Sequence, residues 1–166
     1  MNKSTVWIVK EGGERYMFLI SSNAYQDREE EIVKEKALQE YVDTFEPGGD
    51  VMFWHGGDPI GEVVEAKMVG GFLVEIAKEL PDQKIDLSRP DEDPYPTTIK
   101  AVWNAIEKSD ITWGASIGFK YPKGDEQDKA FDTVLIFERS ILPRNAAANA
   151  VTMSKVMKEN TNEWHD

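Results

Sequence analysis

The run Ile60-Gly61-Glu62-Val63-Val64-Glu65-Ala66-Lys67-Met68-Val69, then Gly70-Gly71, then Phe72-Leu73-Val74-Glu75-Ile76-Ala77 places two stretches rich in β-branched and aromatic residues on either side of two glycines. Two such stretches parted by two turn residues specify a β-hairpin. The pattern occurs earlier too, where Thr5-Val6-Trp7-Ile8-Val9 and Arg15-Tyr16-Met17-Phe18-Leu19-Ile20 flank Gly12-Gly13. The chain therefore starts as antiparallel sheet. Neither these glycine pairs nor Gly48-Gly49 has the lysine and helix context of a phosphate-binding loop, so all three read as turns.

Between the hairpins, Ile32, Val33, Ala37, Leu38, Tyr41, Val42 and Phe45 recur at helical spacing and predict an amphipathic helix stopped by Pro47-Gly48-Gly49. Val51-Met52-Phe53-Trp54-His55 reads as a strand covered on both faces, followed by a turn at Gly56-Gly57-Asp58-Pro59. Residues 81–96, rich in proline and acid, predict a long exposed loop. Thr97 or Thr98 is placed to cap a helix through Ile99, Val102, Trp103 and Ile106. A short apolar strand, Trp113-Gly114-Ala115-Ser116-Ile117-Gly118-Phe119, is followed by a charged loop and a long strand over residues 131–142. The alanine-rich residues 145–158 predict a helix, and residues 159–166 a frayed, flexible tail. The fold class is α+β, mostly β, with a single domain over residues 1–158.

At 166 residues, 40% of them hydrophobic, the chain is long enough to bury one core. Nineteen basic and 31 acidic side chains leave a net charge of −12, which repels phosphate backbones and anionic membrane surfaces. Nucleic acid and membrane are thus not expected as partners, whereas a basic polypeptide segment is acceptable. Without cysteine there is no disulfide, thiolate nucleophile or cysteine metal site. The first ten residues hold no apolar run long enough for a signal or a span, so a soluble intracellular protein is expected.

Chemistry must come from other groups. Ser116, with a glycine two residues away on either side, is either a packing accommodation or a nucleophile given room. Of the two histidines, His165 falls in the polar tail, so histidine catalysis rests on His55, whose other reading is structural. Strand alternation sets Asp132, Val134, Ile136, Glu138 and Ser140 on one face, where Glu138 needs either a partner or an edge in water. Arg139 points to the opposite face. A metal site on His55 and Asp58 is short of ligands, and neither metal nor cofactor is expected.

Three blocks in order carry a family resemblance: Ser22-Asn23-Ala24-Tyr25-Gln26-Asp27 through Glu31-Ile32-Val33 and Ala37-Leu38; Val51-Met52-Phe53-Trp54-His55 with Pro59-Ile60-Gly61-Glu62-Val63; and Ala115-Ser116-Ile117-Gly118-Phe119 with Phe137-Glu138-Arg139-Ser140-Ile141-Leu142-Pro143. From about Phe18 to Asn149 the chain resembles the prohead (capsid maturation) serine proteases of tailed bacteriophages, which are related in fold to the herpesvirus assemblins. It departs from them after Pro143, where Arg144-Asn145-Ala146 replaces a proline-alanine-asparagine stretch.

The resemblance implies a small barrel-like antiparallel or mixed sheet with flanking helices, and a serine endopeptidase. Ser116 would be the nucleophile, His55 its base and Glu138 the group orienting the imidazole, with Asp132 in reserve. Arg139, Arg144 or Gly118 would help to position or polarise the site. Implied substrates are the scaffolding protein, the major capsid protein and the protease itself, inside the assembling procapsid in the host cytoplasm, with self-association as a dimer or higher. The other reading is a catalytically inactive phage structural or scaffold-binding protein with the same fold.

Overall fold

The structure is a computed structural model that describes residues 6–23, 32–54, 56–88, 93–122, 130–143, 153–156 and 164–165. Both glycine-pair hairpins form. β1 (Val6–Glu11) pairs with β2 (Glu14–Asn23) around Gly12-Gly13, and β5 (Gly56–Val69) with β6 (Phe72–Glu79) around Gly70-Gly71. All four turn glycines have φ between 54° and 83°, the left-handed region that two-residue hairpin turns need and that a Cβ disfavours.

Four further strands complete the main sheet: β4 (Gly49–Phe53), β9 (Trp113–Pro122), β11 (Leu135–Pro143) and β12 (Met153–Val156). The strand order is β1-β2-β6-β5-β4-β11-β9-β12, with β13 (Trp164–His165) also on β9. The β4–β11 and β9–β12 pairs are parallel and the other neighbours along this path antiparallel, so the sheet is mixed. It is not closed into a barrel, although it folds over far enough for β2 to lie against β9 without pairing to it. Two separate two-stranded sheets form elsewhere: β3 (Ile32–Val33) pairs with β10 (Ala130–Phe131), and β7 (Lys84–Asp86) with β8 (Pro96–Thr98).

Alternation along β9 and β6 decides what lies inside. Ala115, Ile117 and Phe119 face the interior together with Leu73, Glu75 and Ala77 of β6. α2 (Ile99–Lys108) closes one end of this core with Trp103, whose indole N–H donates to Ile60 O at 2.8 Å. α1 (Glu35–Asp43) closes the other with Ala37 and Leu38 against Phe119, Phe131 and Ile136. Thr98 caps α2 as expected, its hydroxyl accepting from Ala101 N–H at 3.1 Å.

Several expectations are corrected. Helix α1 is shorter than its apolar spacing suggested, because Ile32 and Val33 are taken into a strand and Phe45 lies past the Thr44 cap. No turn forms at Gly56-Gly57-Asp58-Pro59; β5 begins there, and a Cβ on Gly57 would strike the backbone of Asp86 and Leu87. The loop at residues 81–96 is in part the β7 and β8 strands. Residues 153–156, expected to be helical, are a strand, because pairing with β9 overrides alanine-rich propensity upstream. Trp164 and His165, expected in a frayed tail, pair with Pro122 and Tyr121.

Candidate active site

Ser116 sits in the middle of β9 and is fully buried. Its neighbour across the antiparallel ladder is Ser140, whose own partner on β4 is Met52. Two pairs along, Glu138 of β11 stands opposite Gly118 on β9 and opposite Asp50 on β4. Ser116, Gly118, Glu138, Ser140, Met52 and Asp50 thus share the face of the sheet opposite the interior row. Glu138 is a diagonal neighbour of Ser116, a relation that separates Cα atoms by about 7 Å.

Gly118 has a specific steric reason to be glycine. A Cβ there would come within 3.0 Å of both Cγ and Cδ of Glu138, and closer still to Oε1. The missing side chain makes room for the Glu138 carboxyl to lie over β9 at Gly118, rather than for an incoming substrate. Ser140 Oγ donates to Met52 O at 3.3 Å. Ser116 Oγ has no hydrogen-bond partner among the described residues. A buried hydroxyl left unsatisfied costs about 1–3 kcal/mol, so this hydroxyl is held in place against its own solvation.

The bulge at Phe137 settles which residues accompany Glu138. Simple alternation puts Ile136 in its row, but the register shifts between Ile136 and Glu138, so Ile136 pairs with Phe119 on the interior face. Glu138 is half-buried among Ser140, Gly118 and Asp50, not in an apolar row. Asp132 lies in a bend before β11 rather than in the strand. It is exposed and receives Lys34 Nζ at 2.9 Å, a hydrogen bond that holds its carboxyl below the ordinary range.

Arg139 turns the other way. It is buried in the interior, where Nε donates to Glu75 Oε1 at 3.0 Å, Nη1 to Asp50 O at 3.0 Å and Nη2 to the Tyr41 hydroxyl at 3.1 Å. Tyr41 in turn donates to Glu75 Oε2 at 2.5 Å. Burial opposes the charge on Arg139, but the Glu75 carboxylate and the Tyr41 oxygen outweigh it and hold the guanidinium above its usual range. Burial, and next the charge of Glu75, push the Tyr41 phenol up. The triad ties α1, β4, β6 and β11 together beneath the Ser116 face. Gly49 makes room for it, since a Cβ there would meet Arg139 Nη1 at 2.5 Å.

His55 and Arg144 lie outside the described residues. The residue before His55, Trp54, has φ 57°, a left-handed conformation unusual for a bulky side chain, and its N–H donates to Ile141 O at 3.0 Å. Asp58, the other member of the metal reading, accepts Asp86 N–H at 2.9 Å. Among the described residues no group of three or more histidine, aspartate or glutamate side chains could hold a metal ion.

Sequence reasoning did not find the Glu75–Arg139–Tyr41 cluster. The available signal was a glutamate in the inward phase of an apolar strand, Leu73-Val74-Glu75-Ile76-Ala77. A hollow of about 700 Å³ lies elsewhere, between Lys10, Arg15, Lys78, Glu79 and Lys100. Its charges are largely paired with one another, Arg15 with Glu79 and Glu107 and Lys78 with Glu14. It is an ion-pair network around a surface depression and presents no nucleophile. Among the described residues no helix is long and apolar enough to cross a membrane. No family model, curated protein or solved structure matches the chain.

Proposed function

We propose that the protein is a serine endopeptidase of the phage prohead type, with an assemblin-like arrangement of sheet and helices. It would process scaffolding and major capsid protein, and itself, inside the assembling procapsid in the host cytoplasm. The observation that carries the proposal is the Ser116 hydroxyl: fully buried, without a hydrogen-bond partner among the described residues, and beside a glutamate for which Gly118 makes room. A buried orphan hydroxyl calls for an explanation, and a nucleophile waiting for its base supplies one.

Two further facts support the reading. β4, which leads to His55, pairs Met52 with Ser140, and Ser140 pairs with Ser116, so β4 and β9 are two strand spacings apart, about 10 Å. Trp54 is held in a costly backbone conformation immediately before the candidate base, as strained residues often are at working sites. In the proposed reaction His55 takes the Ser116 Oγ proton as the oxygen attacks the scissile carbonyl carbon. The proton then passes to the departing amine as the C–N bond breaks, and water attacks the acyl-enzyme to regenerate Ser116. Glu138 orients the imidazole, and Arg139 acts as a strut beneath the strand rather than as an oxyanion donor.

The complete burial of Ser116 favours one alternative, an inactive structural or scaffold-binding protein with the same fold. The two separate on co-expression with scaffolding and capsid proteins. Wild-type chain yields shortened products and Ser116→Ala does not, whereas binding without cleavage by the wild type supports the alternative. Undiminished processing by Ser116→Ala removes the nucleophile assignment.

A further inference from the structure

Two hairpin connections of the main sheet are the glycine pairs Gly12-Gly13 and Gly70-Gly71, with φ between 54° and 83°. A third connection has the same length. Phe53 of β4 pairs with Gly56 of β5, so only Trp54 and His55 lie between them, and Trp54 takes φ 57°. Two-residue turns need left-handed backbone, which glycine adopts freely and a bulky side chain only against its own sterics. The chain thus keeps a tryptophan where it elsewhere uses glycine for the same task, and leaves it 38% exposed. The turn does not call for an indole, and the core does not enclose it.

The register across β4, β11 and β9 shows what an indole there can meet. Asp50, Glu138 and Gly118 form one row of the Ser116 face, and Met52, Ser140 and Ser116 the next. Beyond Ser116, β11 and β9 pair Leu142 with Gly114, and the Trp54 N–H holds the end of β4 to Ile141 O at 3.0 Å. Carboxylates thus lie on one side of the Ser116 row and apolar groups, Leu142 and Trp54, on the other. Rows are about 6.6 Å apart and β4 is about 10 Å from β9, so Trp54 is about 12 Å from Ser116, roughly four residues of extended peptide. We propose that Trp54 is a specificity-determining residue, whose exposed ring receives an aromatic or large aliphatic side chain of the peptide substrate within about four residues of the bond cut at Ser116. A basic side chain is drawn instead to the opposite side, toward Asp50 and Glu138.

The test uses the full chain with isotope-labelled tryptophan and, as probes, the N-acetyl amides of phenylalanine, alanine and lysine. Five tryptophans give five indole N–H signals, and Trp54→Phe, which keeps a ring, assigns the Trp54 signal by its loss. The phenylalanine amide should shift that signal with about tenfold higher affinity than the alanine amide, the difference made by burying roughly half a phenyl ring. Trp7, 48% exposed on β1, is the control and should not respond. No selective shift at Trp54, or an equal response to phenylalanine and alanine amides, overturns the proposal. A lysine amide that binds as tightly as the phenylalanine amide assigns a cation to the ring and overturns the apolar class.

The consequence for cleavage rests on the proteolysis proposed above, whereas docking at Trp54 does not. Mass spectrometry of products from co-expression with scaffolding and capsid proteins should place an aromatic or large aliphatic residue within about four positions of each cut. Trp54→Asn keeps a residue that tolerates left-handed backbone but removes the ring. It should lose that preference and raise KM about tenfold for a peptide copied from such a cut, with kcat changed less, and Trp54→Phe should restore both. A merely structural tryptophan would instead lower the melting midpoint and the yield at every cut alike. Wild-type cuts without the preference, or a Trp54→Asn variant that keeps it, overturn the proposal. Should Trp54→Asn fail to fold, the probe titration of the wild-type chain decides. Absence of products from the wild type, with selective docking at Trp54, counts against proteolysis and for the docking.

Discussion

Replacing Arg139 with methionine tests whether this residue is a strut or a participant in chemistry. Arg139 and Glu75 are 1% and 0% exposed, and the guanidinium makes three bonds, to Glu75 Oε1, Asp50 O and the Tyr41 hydroxyl. Methionine preserves the length and the apolar packing but leaves the Glu75 carboxylate in the interior with only the Tyr41 hydroxyl. Breaking one side of a buried pair in this way costs about 3–5 kcal/mol. In a chain of this size each kcal/mol moves the midpoint by about 2–4 °C, so a fall of roughly 6–20 °C is expected.

Adding Glu75→Leu should recover most of that loss, since a buried pair replaced on both sides by apolar groups is often neutral or better. Thermal and urea unfolding of the wild type, both single variants and the double variant give the coupling energy, expected to exceed about 2 kcal/mol. An Arg139→Met variant within about 1 kcal/mol of wild type, or two additive single changes, refutes the strut. So does an Arg139→Met variant that is as stable as wild type yet inactive, because that pattern belongs to a group acting on substrate.

Gly118→Ala should displace the Glu138 carboxyl, because the new methyl meets Cγ and Cδ at 3.0 Å; overpacking of this kind costs about 1–3 kcal/mol, and peptide cleavage should fall more than the melting midpoint does. Ser116→Ala removes a buried hydroxyl that has no partner among the described residues, so urea unfolding should show unchanged stability or a gain of up to about 1 kcal/mol; a loss above 1 kcal/mol would mean the hydroxyl is bonded. Asp86 accepts Ser88 N–H at 2.8 Å and Tyr95 N–H at 3.1 Å, and these bonds hold its carboxyl below the ordinary 3.8. A depressed folded value means the stabilisation is present above the unfolded value and is lost as the pH falls through the folded one. Ser88 and Tyr95 amides should therefore keep their protection at pH 3.8 and lose it only at lower pH, and Asp86→Ala should show the same loss at neutral pH.

The two glycine-pair hairpins, the capped helix α2 and the apolar β9 strand were legible because each is set by local rules: two-residue turns, a hydroxyl at an N-cap, and periods of 2 and 3.6. The face carrying Ser116 was legible for the same reason, since period 2 separates Ser116 and Gly118 from Ala115 and Ile117. The company of Glu138 was not. A single extra residue at Phe137 moves Ile136 to the interior, and a bulge leaves no mark in alternation until both partner strands are in register.

The sequence alone determined a mostly β chain with a serine on a central apolar strand, because backbone sterics and side-chain period act within a few residues. Only the tertiary structure decided that Gly118 exists for Glu138, that Arg139 is sunk into an ion pair with Glu75, and that residues 153–156 form a strand beside Ser116. Those relations join residues dozens of positions apart, and they depend on burial and strand order, which no local pattern encodes.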